Sequence, residues 1–343
     1  MKQEQEMDEA FQHYLEAAEQ GDVEAQYNIA MCYINGERVA EDQIKAFEWY
    51  LKAAQQGNEK AQFRVGVCYG NGVGVVKNPA EAFKWFNKAA QQGDVEAQYN
   101  VGVFYSVGYV VAKDEVKAFE WLHEAAQQGH SEAQYNVGVC YDDGLGVVKN
   151  RYKAFEWYLK AAQQGYKEAQ FQVGVRYENG WGVAKDQTEA FKWYLKAAEQ
   201  GYKEAKHNVG VFYSNGWGVA KDQTEAFKWY LKAAEQGYEN SQHNVGVCYD
   251  RGWGVAKDQT EAFKWYLKAA EQGYVNSQYN VGSCYEDGWG VAKNQAKAFE
   301  WYLKAAEQGN KKAQHKVGLC YKYGLGVCKN NTKAFEWLHK AGE

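Results

Sequence analysis

The strongest constraint on this sequence is the run GWGVAKDQTEAFKWYLKAAEQG, which occurs three times without a change. It spans Gly180–Gly201, Gly216–Gly237 and Gly252–Gly273, so its period is 36 residues. Looser copies follow at the same period over nearly all of the 343 residues. A fixed period of this length is typical of repeat arrays, in which each unit packs on its neighbours. The chain is therefore predicted to form one elongated array rather than two globular domains.

Each repeat is predicted to contain two helices joined by a short loop. In one repeat, Ala169, Val173 and Tyr177 recur with the spacing of a single apolar helix face. Gly180 should end this first helix, because a residue that tolerates positive φ is preferred just past a helix end. The face opposite this stripe is predicted to lie on the inner surface of the array.

The second helix of each repeat is apolar around most of its circumference, so two neighbours must cover it. It opens at Asp186, which forms a capping-box pattern with Glu189. A glycine recurs inside the first helix, except at Ala30, although it is disfavoured there by about 1 kcal/mol relative to alanine. We therefore expect close packing, with the tryptophan of the second helix as the knob and the glycine as the hole. The tryptophans are Trp49, Trp85, Trp121, Trp157, Trp193, Trp229, Trp265, Trp301 and Trp337, and the glycines are Gly66, Gly102, Gly138, Gly174, Gly210, Gly246, Gly282 and Gly318.

The predicted fold class is all-α: an α/α superhelical solenoid of nine helix–loop–helix repeats with a leading capping helix. Residues 1–21 are assigned to an N-terminal tail (residues 1–6) and a capping half-repeat helix. Residues 22–343 are assigned to nine 36-residue repeats that form one solenoid domain.

The composition limits the class of partner. The net charge of −5 and the pI of about 5.9 leave no basic field for nucleic acid. No signal peptide or apolar run of membrane-spanning length is visible, so we expect a cytoplasmic protein without membrane insertion, or a fragment of a longer protein. The predicted partner is another protein or a peptide segment. The oligomeric state is left open, with a monomer expected.

Six of the seven cysteines share one position of the repeat, which Arg and Phe also occupy: Cys32, Cys68, Cys140, Cys248, Cys284 and Cys320. Equivalent positions in neighbouring repeats should lie about 8–10 Å apart, beyond the reach of a disulfide. Only Cys328 stands elsewhere. We expect reduced cysteines that serve packing.

The repeat pattern resembles the Sel1-like repeat, a relative of the tetratricopeptide repeat, over essentially the whole chain. In one repeat the resemblance is carried by Ala169, Val173, Gly174, Tyr177, Gly180, Gly182, Val183, Asp186, Ala190, Trp193, Tyr194, Ala197, Ala198 and Gly201. Arg38 and Val110 replace the second loop glycine, so their two loops should be shaped differently. The resemblance implies a solenoid whose first helices line a concave surface, and an adaptor role in protein assemblies. A secreted branch of the family, stapled by a disulfide in each repeat, has been linked to β-lactam binding; its paired cysteines are absent here.

Two ladders on the first helices are predicted to line the concave surface. One is aromatic or histidine, and the other is mostly amide, a group that both donates and accepts hydrogen bonds. Amides at regular spacing can pair with the backbone of an extended peptide, while aromatic rings add apolar contacts. An alternative is that these side chains bond only to neighbouring helices or water. The predicted binding residues are Tyr99, Asn100, Tyr135, Asn136, Phe171, Gln172, Glu178, His207, Asn208, His243, Asn244, Arg251, Tyr279 and Asn280.

A separate series of tryptophans stands in the loops: Trp181, Trp217, Trp253 and Trp289. Packing under the loop is favoured over an exposed strip that would form a second docking edge.

No enzymatic motif is recognised, and neither a cofactor nor a metal site is predicted, since closely spaced Cys and His ligands are missing. The function predicted from the sequence is a non-enzymatic scaffold or adaptor that binds a partner in the concave groove. One alternative is a small-molecule (β-lactam-like) binding protein or hydrolase. Another is an interaction module cut from a larger signalling or degradation-complex protein.

Overall fold

The structure is a computed structural model that describes the backbone of residues 2–342 and the side chains of residues 11–342. Within that range all regular secondary structure is α-helix, in nineteen helices. The prediction of an all-α solenoid of helix–loop–helix repeats is confirmed. The chain divides into two compact units, Met1–Ala169 and Gln170–Glu343, and the boundary lies inside the tenth helix.

The helices of the first unit, up to that boundary, are α1 Lys2–Glu19, α2 Val23–Asn35, α3 Gln43–Gln55, α4 Glu59–Asn71, α5 Pro79–Gln92, α6 Val95–Val107, α7 Glu115–Gln127, α8 Ser131–Asp143, α9 Arg151–Gln163 and the start of α10 Lys167–Asn179. The second unit continues with α11 Gln187–Glu199, α12 Lys203–Asn215, α13 Gln223–Glu235, α14 Glu239–Arg251, α15 Gln259–Glu271, α16 Val275–Asp287, α17 Gln295–Glu307, α18 Lys311–Tyr323 and α19 Asn331–Ala341.

From α2 onward, even-numbered helices are the first helices of the pairs and odd-numbered helices are the second. Within each unit a second helix packs against its own first helix and against the first helix that follows. This arrangement explains why the second helix is apolar on two sides. The buried alanines of the second helix meet the buried Ala and Val of the first helices, as Ala197 and Ala198 meet Ala205 and Val209.

Helix α1 stands where a second helix would precede α2, and Phe11 packs edge-on against Tyr33 with ring centroids 5.9 Å apart. The helix begins at Lys2, so the predicted tail at residues 1–6 is wrong for residues 2–6. The stretch consists of good helix formers without Gly or Pro, which explains the extension. Met1 lies outside the described residues.

The partner of the mid-helix glycine is not tryptophan. A Cβ added at Gly210 would lie 2.6 Å from Cδ1 of Tyr230, the residue after Trp229. Consecutive helical residues point about 100° apart, so Trp229 faces elsewhere and packs against the cluster formed by α11 and α12. The predicted knob is therefore wrong, while the close packing that the glycine indicated is confirmed.

The second helices begin with side-chain caps, but the capping box is incomplete. Oδ1 of Asp186 accepts hydrogen bonds from the backbone N–H groups of Thr188 at 2.9 Å and Glu189 at 3.0 Å. The side chain of Glu189 does not return to the cap, since it accepts from Nζ of Lys192 at 2.7 Å. The Asp186 N–H instead donates to the carbonyl of Tyr177 at 2.9 Å, which ties the second helix to the end of the first.

The second glycine of the loop that joins the two helices of a pair lies against the second helix of the preceding pair. At Gly74 φ is +66° and an added Cβ would lie 1.9 Å from the carbonyl oxygen of Gln43. Arg38, in the same position of the first loop, keeps this left-handed conformation with φ 65°, so the predicted change of loop shape is wrong there. Among the described residues Arg38 is the only non-glycine with positive φ, so the Val110 loop does differ, as predicted.

A network of glutamines inside the repeats was not predicted. Nε2 of the buried Gln242 donates to the carbonyl of Ala234 at 3.2 Å, and its Oε1 accepts from Nε2 of Gln272 at 2.6 Å. The pairs Gln56–Gln26, Gln92–Gln62, Gln128–Gln98, Gln164–Gln134, Gln200–Gln170 and Gln308–Gln278 repeat this contact. In these seven pairs, the amides tie the end of a second helix to the first helix before it.

All seven cysteines are free: six are buried and Cys328 is exposed. Burial raises the pKa of the Cys68 thiol to about 11 and of the Cys248 thiol to about 12. These thiols therefore behave as small packing groups, as expected. None of the described helices combines the length and apolarity needed to cross a bilayer.

Candidate functional site

In the second unit, a tyrosine of the second helices α11, α13, α15 and α17 reaches between two first helices. The hydroxyl of Tyr194 donates to Oε2 of Glu178 at 2.5 Å and accepts a hydrogen bond from the side chain of Asn208, on the next first helix. Burial, followed by the contact with Glu178, raises the pKa of Tyr194 far above its ordinary value, so the phenol stays protonated. The predicted residues Glu178 and Asn208 are thus joined through a tyrosine that the sequence analysis did not include.

The same arrangement recurs one and two pairs later. Asn244 bonds to the phenol of Tyr230, which also bonds to Ser214. Asn280 bonds to the phenol of Tyr266. The amide ladder therefore has a structural use within the fold, and each amide keeps a carbonyl oxygen for other partners.

The aromatic ladder is half-buried between neighbouring pairs. Phe171 lies between the rings of Tyr194 and Tyr202, with centroids 5.5 and 5.2 Å away. His207 lies equivalently against Tyr230 and Tyr238, at 5.6 and 5.2 Å. Since each ring is flanked by one ring of its own second helix and one ring at the start of the next pair, the ladder first of all joins the pairs. Gln172, beside Phe171 on α10, is half-buried.

Two histidines of this ladder form polar contacts at the pair interfaces. Nδ1 of His207 lies 2.8 Å from Oγ of Ser241, and Nδ1 of His243 lies 2.8 Å from Oγ of Ser277. Burial lowers the pKa of both imidazoles to about 4, so they are neutral at pH 7. Other first helices carry alanine where these two serines stand, for example Ala169.

In the first unit, the predicted residues lie on α6 and α8. Tyr99 stacks on His130 with centroids 4.5 Å apart and bonds to the side chain of Asn136. Asn100 donates to a backbone carbonyl of its own helix at 2.7 Å. Tyr135 lies between Tyr158 of its own second helix, at 5.5 Å, and Tyr166 just before the next first helix, at 5.4 Å.

A cavity of about 370 Å³ opens on the first helices α14, α16 and α18 of the second unit. Three predicted residues line it: Arg251, Tyr279 and Asn280. The rest of the wall is formed by Val247, Asp250, Gln259, Ala262, Tyr266, Ser283, Cys284, Glu286, Asp287, Trp289 and Lys316. We call this the α14–α16–α18 cavity.

Small substitutions between repeats accompany the cavity. Ser283 stands where the preceding first helix has Val247, and Asp250 stands where α10 has the longer Glu178. Cys284 replaces the Phe212 of α12 at a buried position. Ser283 is smaller than the Val, Met or Leu at the equivalent positions of the other first helices, whereas Asp250 and Cys284 are smaller than only some of their equivalents. Comparison between repeats was therefore the signal that could have found Ser283 and Asp250.

Charges of both signs meet in the cavity wall. Nζ of Lys316 donates to Oε2 of Glu286 at 2.7 Å, and the hydroxyl of Tyr302 donates to the same oxygen at 2.6 Å. Burial alone would raise the pKa of Glu286, but these two hydrogen bonds outweigh it and hold the pKa below its ordinary value. Asp250 lies 3.4 Å from Nε of its exposed neighbour Arg251, a pair that water screens.

The loop tryptophans lie at the surface. These residues are 39–48% exposed, so the predicted packing under the loop covers only part of each tryptophan. One side of the ring does pack on its own first helix, as Trp217 does edge-on against Phe212 at 5.8 Å. Trp289 belongs to the wall of the α14–α16–α18 cavity, so this part of the loop edge borders the site.

Among the side chains of the described residues, no group of three or more His, Cys, Asp or Glu could hold a metal ion.

Comparison with protein families gives a match along the chain. The Sel1 repeat model matches ten stretches: 3–22, 23–58, 59–94, 95–130, 131–166, 167–202, 203–238, 240–274, 275–310 and 311–343.

Two solved structures resemble the chain over most of its length. The crystal structure of a protective antigen present in uropathogenic Escherichia coli strains, which displays an SLR fold, is 33% identical with a TM-score of 0.79, covering 96% of this chain and 79% of that one. The crystal structure of a Sel1 repeat protein from Oxalobacter formigenes is 32% identical with a TM-score of 0.69, covering 90% and 89% of the two chains. A search of curated proteins returned no match.

Proposed function

Because the chain belongs to the Sel1 repeat family, whose members generally mediate protein–protein interactions, we propose that it is a scaffold that binds a segment of a partner protein on its first helices. The α14–α16–α18 cavity is the proposed centre of binding. The role is non-enzymatic, in line with a family of scaffolds that generally lack catalysis. The proposed partner is a protein or peptide rather than nucleic acid, and the scaffold acts as a monomer.

The observation that carries this proposal is the α14–α16–α18 cavity itself. Its volume of about 370 Å³ is enough for one or two side chains of a partner, and three aromatic residues, Tyr266, Tyr279 and Trp289, lie in its wall. Large aromatic side chains and arginine dominate binding energy at protein interfaces, and Arg251 lies in the same wall. The side-chain carbonyl of Asn280 is of a type that can accept a hydrogen bond from the backbone of a bound segment.

A variant that fills the cavity with residues used elsewhere in the chain tests the proposal. Ser283→Val reproduces Val247, and Asp250→Glu reproduces Glu178, so neither change is foreign to the repeat. A random dodecapeptide library displayed on phage selects binders of the wild-type protein, and calorimetry gives their affinities. We expect the double variant to bind them at least tenfold more weakly, because side chains that occupied the cavity are excluded.

The control is Glu271→Gln, which lies at the exposed end of α15 outside the cavity. It should leave the affinities unchanged. Equal affinities for the wild type and the filled variant would place peptide binding somewhere other than this cavity.

A further inference from the structure

A second cavity, of about 350 Å³, lies beside the first and carries positive charge. It is lined by Tyr279, Lys311, Lys312, His315, Lys316 and Ala341. Nζ of Lys311 donates to the backbone carbonyl of Lys340 at 2.5 Å, which fixes that side chain at the rim. Lys312 is exposed on the same turn of α18. We call this the lysine pocket.

The α14–α16–α18 cavity combines carboxylates with aromatic rings. Glu286 bonds to Lys316 and Tyr302, Asp250 pairs with Arg251 in a contact that water screens, and Asp287 is exposed in the same wall. A cation between these two aspartates would also face the aromatic rings of the wall, which attract cations through their quadrupoles. This wall therefore suits a basic side chain of a ligand.

The two pockets are neighbours, because Tyr279 and Lys316 line both. First helices in such packing lie about 10 Å apart. An extended peptide rises about 3.3 Å per residue, so roughly three residues span that separation. One segment can thus reach both pockets at once.

We infer that the partner segment is an extended peptide with a basic side chain for the α14–α16–α18 cavity and a carboxylate about three residues away for the lysine pocket. The inference rests on the proposed function and specifies the chemistry of its partner. Charge complementarity selects this occupant: one pocket presents aspartates beside aromatic rings, and the other presents lysine ammonium groups.

The test reads the charge pattern from selected peptides. The full chain is used to select phage-displayed random dodecapeptides, and enriched clones are sequenced. We expect an Arg or Lys and an Asp, Glu or terminal carboxylate two to four residues apart. Synthetic versions of two clones are then titrated by calorimetry against wild type, Asp250→Asn with Asp287→Asn, and Lys312→Gln.

The aspartate variant should weaken binding about tenfold, and replacing the basic residue of the peptide by Gln should weaken binding to wild type but not to that variant. Lys312→Gln should likewise weaken binding. Removing the carboxylate of the peptide should then weaken binding to wild type but not to Lys312→Gln. Controls outside both pockets are Glu271→Gln, which removes one negative charge, and Lys257→Gln, which removes one positive charge like Lys312→Gln; both should have no effect.

The outcomes separate the two proposals. One outcome is that the selected peptides lose affinity for the cavity-filling variant and yet show no charge pattern, or no coupling to the aspartates. That result overturns this inference and leaves the proposed function intact. An absence of any enriched peptide counts against the proposed function and therefore against this inference as well.

Discussion

At the scale of single residues, the mid-helix glycines record how closely the two helices of a pair approach. An added Cβ at Gly66 would lie 2.7 Å from Cδ1 of the buried Phe86. Gly66→Ala should therefore destabilise the protein by about 1–3 kcal/mol, because overpacking outweighs the gain in helix propensity. The measurement is the urea midpoint followed by circular dichroism.

Helix α4 also contains the matched control, Gly70. An added Cβ there meets only the Cβ of Ala82 at 3.9 Å, which is ordinary contact. Gly70→Ala should raise the midpoint, with a gain of up to about 1 kcal/mol. If both variants raised the midpoint, helix propensity rather than packing would govern the glycine positions.

The two half-buried histidines, His207 and His243, predict a dependence of stability on pH. His207 and His243 have a pKa of about 4 in the folded protein, against 6.5 ordinarily. Between these values the unfolded chain binds more protons, so stability falls as pH drops from 6.5 to 4 and this contribution levels off below 4. Each histidine contributes on the order of 3 kcal/mol to that loss. Urea titrations at pH 7, 5.5 and 4.5 measure the change.

The control replaces both histidines, and the serines that they contact, with the residues that other repeats carry at these positions. His207→Tyr with Ser241→Ala, and His243→Tyr with Ser277→Ala, copy the combination at Tyr135 and Ala169. Burial is the cause of both pKa shifts, and tyrosine rings and a serine hydroxyl lie against each imidazole. A quadruple variant that lost as much stability as wild type between pH 7 and 4.5 would assign the effect to other groups.

At the scale of helices, the glutamine network fixes how a second helix meets the first helix before it, and one pair departs from it. Lys206 stands where the other first helices carry glutamine. Burial, and then the nearby Lys232, lower the pKa of Lys206, while Glu235 raises it. Lys206→Gln should restore the contacts to Ala198 and Gln236 and stabilise the protein by about 1–2 kcal/mol. Chemical denaturation measures the shift.

The reverse change supplies the comparison. Gln242→Lys should cost a similar amount, because Gln242 bonds to Ala234 and Gln272 in the wild type. If Lys206→Gln lowered stability, the lysine would have a structural use that the network does not account for.

The elements of this fold follow from local signals in the sequence, whereas the pairings between them do not. The cap at Asp186 and the stop at Gly180 depend on a few neighbouring residues, so pattern and propensity suffice to predict them. The contact between Gly210 and Tyr230 depends on which way a side chain leaves the second helix, and composition favoured the larger Trp229. Of the cavity, Tyr279 and Asn280 were found through their regular spacing. Ser283 was missed because its importance lies in the volume that it leaves empty.

At the scale of the whole molecule, the repeat period predicts that one unit of 36 residues can be removed without loss of folding. Deleting residues 216–251 joins Asn215 to Gly252, and Gly252–Gly273 repeats the removed Gly216–Gly237 letter for letter. Since neighbouring repeats interact mainly with each other, helix content per residue should be unchanged. Unfolding free energy should fall by about 2–5 kcal/mol, the share of 36 residues at typical values per residue.

The same deletion separates folding from binding. It removes Asp250 and Arg251 from the α14–α16–α18 cavity, so the selected peptides should no longer bind although the chain folds. Deleting residues 180–215 instead joins Asn179 to Gly216, removes the same number of residues and leaves α14, α16 and α18 intact. That variant should bind with wild-type affinity, as measured by calorimetry. Equal binding by both deletions would mean that any run of repeats suffices, and that the residues which differ between repeats do not determine the partner.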